Sequence, residues 1–384
     1  MLSAQIKNAK EDIDEFCRKL EKSEKYFDAS LCKHTLLKIH PLLEGIITDH
    51  DRKLVTEFWY RVAHYLGVQF GIDAALEADR LQEEPASEIV TSMTDAILGE
   101  GKKLEDALED TALIKKVKQL FRECGIPVGM KSDIVKHAFS KPRGYAGDYG
   151  IIEIVYDNKI SSRGIGYCAD KRFLNDDYAR AVRSRKTMMR KMLAAFLGNP
   201  PGPTVKILNV ACGSCREIKE LFEQKTFDTL EKIQFTLVDH DQQALDFSMK
   251  VLSHSPSNVE YRTLCHSVYD YLKEPETYRK IFDGQDLVYT IGLADYIPDQ
   301  RLKDLIAFLF SVVRPGGKLV FAHKDSKNYS PLAPDWWCDW TFHLRDMQET
   351  VDLVKSSGIR GYNLSVERET ETNIIFFIII EKTT

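Results

Sequence analysis

The sequence predicts an α/β fold: a doubly wound, mostly parallel sheet with a C-terminal antiparallel hairpin, preceded by an all-helical N-terminal region. Three observations carry this expectation. Beyond about residue 200, short apolar runs alternate with amphipathic stretches, the pattern of β-α units. The last two apolar runs are joined by only a short polar connection. Residues 1 to about 125 show a helical period throughout.

Taken in order, Ile6, Ile13, Phe16, Cys17 and Leu20 fall on one helical face, with Lys and Glu opposite. Further helical patterns cover 36–47, 54–66 and 113–121, and Gly99-Glu100-Gly101 reads as a turn between such segments. Nothing in this region announces chemistry, so a bundle for packing or homodimerisation is expected. Residues 126–200 form a bridge with Lys141-Pro142-Arg143-Gly144-Tyr145-Ala146-Gly147-Asp148-Tyr149 and a basic helix. On that helix Arg183, Lys186 and Arg190 share a face, read as solvated or as a dock for an anionic partner such as an acidic acyl-carrier protein. Gly198-Asn199-Pro200-Pro201-Gly202-Pro203 marks the boundary to a third region, 201–384. There, strands are predicted over 205–210, 233–238, 259–263, 286–290 and 318–322, with helices over 217–224, 242–252 and 300–312. The hairpin is predicted from 362–367 and 373–381.

Composition narrows the function. The net charge is −5, which disfavours a phosphate-backbone partner, so no nucleic acid is expected. The longest apolar run, 374–380, is too short to span a bilayer and reads as a buried strand. The first residues lack a signal-peptide pattern, and a cytoplasmic protein is expected. Eight cysteines have no disulfide-framework spacing, and the Cys212-x-x-Cys215 pair lacks a second ligand pair, so no metal is expected.

The chemistry concentrates where the first strand runs into Asn209-Val210-Ala211-Cys212-Gly213-Ser214-Cys215-Arg216-Glu217. A strand turning sharply into a helix presents free N–H groups to a ligand, and small residues let it approach the backbone. Gly-x-Gly-x-x-Gly is absent, which argues against a dinucleotide. The second strand ends in Asp239-His240-Asp241, where a carboxylate can accept hydrogen bonds from a ribose diol; Asp241 suits a helix N-cap.

These motifs resemble the class I S-adenosylmethionine-dependent methyltransferases, whose pattern is an acid followed by glycines at alternate positions. Asn209 stands in the acid slot, and Ala211, Gly213 and Cys215 in the glycine slots. The acid, apolar strand, helix and Val313-Arg314-Pro315-Gly316-Gly317-Lys318-Leu319-Val320 follow in that family's order, as does the terminal hairpin. The resemblance implies S-adenosyl-L-methionine as cofactor, held by Asp148, Asn209, Ala211, Cys212, Gly213, Asp239, His240, Ser267, Val268, Thr290 and Gly292. A narrower resemblance rests on Lys141 to Tyr149, Ala181-Val182-Arg183-Ser184-Arg185, Gly292-Leu293-Ala294-Asp295-Tyr296 and Asp339-Trp340. Together with Val210-Ala211-Cys212-Gly213, these are similar to bacterial methyltransferases of 3-hydroxypalmitic acid methyl ester biosynthesis. After the fifth strand this chain has Ala322-His323-Lys324, where that group carries Gly-Asn-Phe.

The resemblance implies methylation of a small carboxylic acid, with Arg143 pairing with its carboxylate and Tyr145, Asp148 and Tyr149 lining the space above the methyl donor. Tyr296 is expected to orient acceptor or cofactor, and His323 is the candidate general base. Trp336, Trp337, Trp340 and Phe342 read as one aromatic cluster, either core or a wall for an acyl chain. Two alternatives stay open: N- or O-methylation of another small metabolite, and a non-catalytic regulator that binds the cofactor.

Overall fold

The computed structural model describes residues 2–383, with side chains from residue 11 onward, so Ile6 of the predicted helical face lies outside the described side chains. The chain divides into two compact units. One comprises residues up to Gly147 with Asn158–Asn175 and Pro331–Trp340; the other comprises Asp148–Asp157, Asp176–Ser330 and residues from Thr341 onward. The predicted bridge over 126–200 is thus shared between the two units, and the helical unit gains a segment from far down the chain.

The helical unit is built on Asp49–Glu77 and Glu83–Ala107, with Thr111–Gly129 beside them. Polar residues start its helices where the spacing needs an acceptor: Thr48, Asp110 and Ser132 each take a backbone N–H two or three residues on. The predicted 36–47 helix is broken into Ala29–Lys38 and His40–Glu44. Gly99 and Gly101 are not a turn but lie inside Glu83–Ala107. Gly101 is there for space, since a Cβ would sit 2.9 Å from the Trp336 ring. Trp336 is buried against Phe58 and Phe121, with ring centroids 5.3 and 5.5 Å away, and its indole N–H donates to Glu105 at 2.8 Å.

The second unit holds a seven-stranded sheet in the order β3-β2-β1-β4-β5-β7-β6. The strands are β1 Thr204–Val210, β2 Lys232–Asp239, β3 Val259–Cys265, β4 Gln285–Thr290, β5 Val313–Lys324, β6 Tyr362–Arg368 and β7 Ile375–Lys382. β1 to β5 are parallel, and β7 runs antiparallel to both β5 and β6. The apolar run at the C-terminus explains this order. β7 is buried on both faces and so must lie inside the sheet, whereas β6 alternates half-buried and exposed residues and covers the edge. Two helices that the periodicity does not announce, Val268–Lys273 and Pro275–Phe282, separate β3 from β4. They are one to two turns long, too short for a period to show.

Strand order reverses at β1, whose neighbours are β2 and β4. The register brings Val210 level with Val238 and Asn209 level with Tyr289, so the ends of β1, β2 and β4 meet at one rim. In open α/β sheets the crevice outside such a switch point is where ligands bind. No helix among the described residues is long and apolar enough to cross a membrane.

Candidate active site

At this rim the chain passes from β1 into the helix Arg216–Gln224 through a loop of unusual conformation. Ala211, Gly213 and Cys215 have φ of 52°, 54° and 52°, so every second residue is left-handed. These are the three positions that stand in the glycine slots. A left-handed Ala or Cys costs about 1–2 kcal/mol, and the loop keeps its course regardless. The conformation is held by side chains from other strands and helices. Asp239, at the end of β2 and buried, accepts the N–H of Gly213 at 2.9 Å and that of Asp241 at 3.0 Å. Ser248 donates to the Gly213 carbonyl at 2.6 Å, and the Cys212 N–H bonds to the Val238 carbonyl at 3.0 Å. Cys215 provides no side-chain cap to the helix it starts.

Beneath the loop lies a buried polar layer that the sequence does not announce. Glu217 is buried and accepts from Tyr289 Oη at 2.8 Å and from Asn209 Nδ2 at 3.2 Å. Burial raises its pKa above the ordinary carboxylate value, opposed by these bonds and by the nearby charge of Arg185. Asn209, the residue in the acid slot, is thus a prop for a glutamate eight residues on. Arg185 comes from the helix Asp177–Gly198 and is 5% exposed. Its guanidinium lies just past β4, where a Cβ placed on Gly292 would be 3.7 Å from both terminal nitrogens. Arg185 Nε and the hydroxyl of Thr290, the last residue of β4, are buried without hydrogen-bond partners among the described residues. Unpaired buried donors of this kind cost about 1–3 kcal/mol each, and Arg185 and Thr290 bring two of them to this rim.

A second cluster occupies the ends of β4 and β5. Lys324, 1% exposed, donates to Asp295 Oδ2 at 2.5 Å. Its ammonium sits 4.0 Å from the centroid of Phe342, with Tyr178 and Tyr296 at 5.3 and 5.7 Å. Burial alone would raise Asp295, but Lys324 and His323 bring it down to about 2. His323 is fully buried and both ring nitrogens are engaged: Nδ1 with the Lys324 carbonyl at 2.7 Å, Nε2 with Arg345 at 3.0 Å. Since a guanidinium only donates, Nε2 is the acceptor and Nδ1 carries the proton. Burial also lowers its pKa. The expected general base is therefore corrected: His323 has no lone pair left for a substrate proton, and it positions Arg345 and the end of β5.

Of the other predicted residues, Asp148 and Tyr149 are brought to the loop. Asp148 caps the helix Tyr149–Asp157 through the N–H of Gly150 at 2.8 Å. Tyr149 packs over Gly213 and against Phe247, with ring centroids 5.3 Å apart. His240 lies beside Asp239, whose hydrogen bond raises its pKa. Ser267 caps Val268–Lys273 with Asp270 in a reciprocal box, and Val268 is buried behind it. Arg143 and Tyr145 belong to the helical unit. The predicted aromatic cluster is corrected: Trp336 and Trp337 pack on Phe121, whereas Phe342 packs on Tyr178, Tyr296 and Tyr329. The basic face is corrected too. Lys186 is buried, pairs with Glu220 and lies 5.0 Å from the Tyr156 ring centroid, and neither Arg183 nor Arg190 is exposed. Arg185 was legible as a charge on the apolar stripe of Tyr178, Val182 and Met189, had the helix been read by face.

No protein-family model matches this sequence, and no curated protein does. Among solved structures the chain is similar to a possible exported protein from Bordetella parapertussis, at 17% identity over 65% of this chain and 86% of that one, with a TM-score of 0.49. It is similar to the CurJ carbon methyltransferase at 11% identity over 94% of this chain and 100% of that one, with a TM-score of 0.46. It is also similar to magnesium protoporphyrin IX methyltransferase (ChlM) from Synechocystis PCC 6803, at 12% identity over 60% of this chain and 97% of that one, with a TM-score of 0.37.

Proposed function

We propose that this chain is an enzyme that binds S-adenosylmethionine at the rim of β1, β2 and β4 and methylates a small-molecule acceptor. The favoured acceptor is the carboxylate of a fatty acid or 3-hydroxy fatty acid, giving a methyl ester. The observation that carries the cofactor reading is the pairing, at one switch point, of a left-handed β1 loop with two buried unpartnered donors, Arg185 Nε and Thr290 Oγ1. The donor set fits the group. A cationic fork and a hydroxyl suit the α-carboxylate of the cofactor's amino-acid part. Asp239, with only some of its lone pairs used by Gly213 and Asp241, suits a ribose diol. Tyr149 and Phe247 supply an apolar cover beside the loop.

When bound, S-adenosylmethionine supplies a methyl carbon made electrophilic by its sulfonium. What the chain adds is orientation, exclusion of water and the choice of acceptor. Holding reactants in a near-attack geometry is worth about 7–11 kcal/mol at best, so a rigid loop and a buried cation account for much of what is needed. An amine or hydroxyl acceptor must also lose a proton to a base. At the β4 and β5 ends His323 is saturated and Lys324 is tied to Asp295. A carboxylate, ionised above a pKa of about 4, has no proton to lose. This favours an acid as acceptor.

Incubation with S-adenosylmethionine and a chain-length series of plain and 3-hydroxy fatty acids, read by mass spectrometry, tests the proposal. Methyl esters with a chain-length optimum are expected. S-adenosylhomocysteine formed only with amines or alcohols would refute the carboxylate reading and leave the cofactor reading intact. Arg143→Lys tests the part of the resemblance that falls in the helical unit. A rise in KM for the acid with unchanged cofactor affinity supports an acceptor role, and equal loss of both refutes it.

A further inference from the structure

One face of the sheet changes character along its length. Near the rim, Leu208, Val210 and Val238 share a buried core with Val268, Tyr271 and Phe282 of the two helices between β3 and β4. Side chains alternate faces along a strand, so the same face carries Lys206 on β1, Thr236 on β2, and Glu260 and Arg262 on β3 toward the opposite end. A parallel sheet is ordinarily covered on both faces, yet here Lys206, Glu260 and Arg262 are exposed and Thr236 is half-buried. With Asp283 and Gln285 they line a cavity of about 240 Å³, about eight times the roughly 30 Å³ share of one water.

The charges in this pocket are not balanced among themselves. Glu260 is neutralised by Lys232 at 2.7 Å, whereas Lys206 and Arg262 form no ion pair among the described residues. They stand on β1 and β3, on either side of Thr236, which is level with Arg262. A strand spacing of about 4.8 Å and a rise of about 3.3 Å put their Cα atoms about 12 Å apart, a gap that a lysine and an arginine reaching inward close on one anion. Asp283 lies on the β4 side of Lys206, away from that gap. Gln285 is 5% exposed; its Nε2 donates to the Phe282 carbonyl at 2.8 Å, and its Oε1 has no partner among the described residues. An unpaired buried acceptor is costly, and a ligand hydroxyl would satisfy it.

We propose that this pocket, at the end of the sheet opposite the cofactor rim, binds a phosphate dianion, free or carried on a small hydroxylated body, between Lys206 and Arg262. A tetrahedral dianion meets the Lys206 charge, the Arg262 fork and the Thr236 hydroxyl with different oxygens, which a planar carboxylate cannot do. The volume leaves room for a body of a few carbons and none for a nucleoside. Every residue invoked belongs to the sheet-bearing unit, and the site stands independently of methyl transfer.

Calorimetric titration of the full chain with glycerol 3-phosphate, inorganic phosphate and glycerate, without S-adenosylmethionine, tests this. Saturable binding of glycerol 3-phosphate is expected, with glycerate at least about 10-fold weaker. Lys206→Met and Arg262→Met, both at exposed positions, are each expected to weaken phosphate binding about 10- to 100-fold. Lys250→Met, on the exposed side of the helix Gln242–Val251, is expected to leave it unchanged. Glycerol 3-phosphate tighter than inorganic phosphate identifies a phosphorylated metabolite as the source, and the reverse order identifies free phosphate. No saturable binding of either phosphate, glycerate as tight as glycerol 3-phosphate, or a loss in Lys206→Met and Arg262→Met no larger than in Lys250→Met would each overturn the proposal.

Discussion

Ala211 shows how a left-handed turn can be held without glycine. Its φ of 52° is one that glycine adopts freely and a β-branched residue scarcely at all. Ala211→Gly is therefore expected to raise stability by about 0.5–1 kcal/mol, and Ala211→Val to lower it by about 1–3 kcal/mol, read from thermal melts. A Val variant as stable as the parent would contradict the strained loop. Asp295 makes a second residue-scale prediction. Its folded pKa of about 2 lies below its ordinary 3.8, so the stability it contributes is present above pH 4 and is lost as pH falls through about 2. The stability gap between the parent and Asp295→Asn, about 3–5 kcal/mol at neutral pH because Lys324 is left unpaired, should narrow by about 2–3 kcal/mol across that window. At this scale the sequence was partly legible. Asp239 and Gly213 are local to strand ends and could be read from spacing. Glu217, Arg185 and Lys324 matter through partners 29 to 146 residues away in chain order: Tyr289 for Glu217, Gly292 for Arg185, Asp295 and Tyr178 for Lys324. No local pattern encodes such pairings.

Elements were more legible than residues. The strands of the sheet begin and end near their expected positions because each is a short apolar run bounded by turn residues. β5 is longer than expected, since its first residues pair across the Pro315-Gly316-Gly317 stretch with an irregular register to β4. The facing of the helix Asp177–Gly198 departs from the expectation, because its basic residues are numerous and the burial of Lys186 is set by a tertiary partner, Glu220. The segment Leu332–Cys338 gives a direct test of its place in the helical unit. Trp336 is buried at 1% against Phe58 and Phe121. Trp336→Ala should cost about 3–5 kcal/mol, and Trp336→Phe markedly less. A near-neutral alanine variant would show that the segment does not anchor in that core.

At the scale of the whole molecule, the α/β class and the order of elements follow from periodicity, whereas the division into units does not. Residues 331–340 lie deep in the second half of the chain yet complete a helical core formed by the first 140 residues, a long-range closure that sequence spacing does not reveal. The functional proposal is also a whole-molecule statement, because its residues come from β1, β2, β4 and the helix preceding them. Calorimetric titration of the full chain with S-adenosylmethionine, alongside Arg185→Met and Arg185→Lys, tests it most directly. Saturable one-to-one binding is predicted, weakened about 10- to 100-fold in the Met variant and partly restored in the Lys variant. No binding to the parent chain, or binding unchanged in Arg185→Met, would contradict the assignment of this rim as the cofactor site.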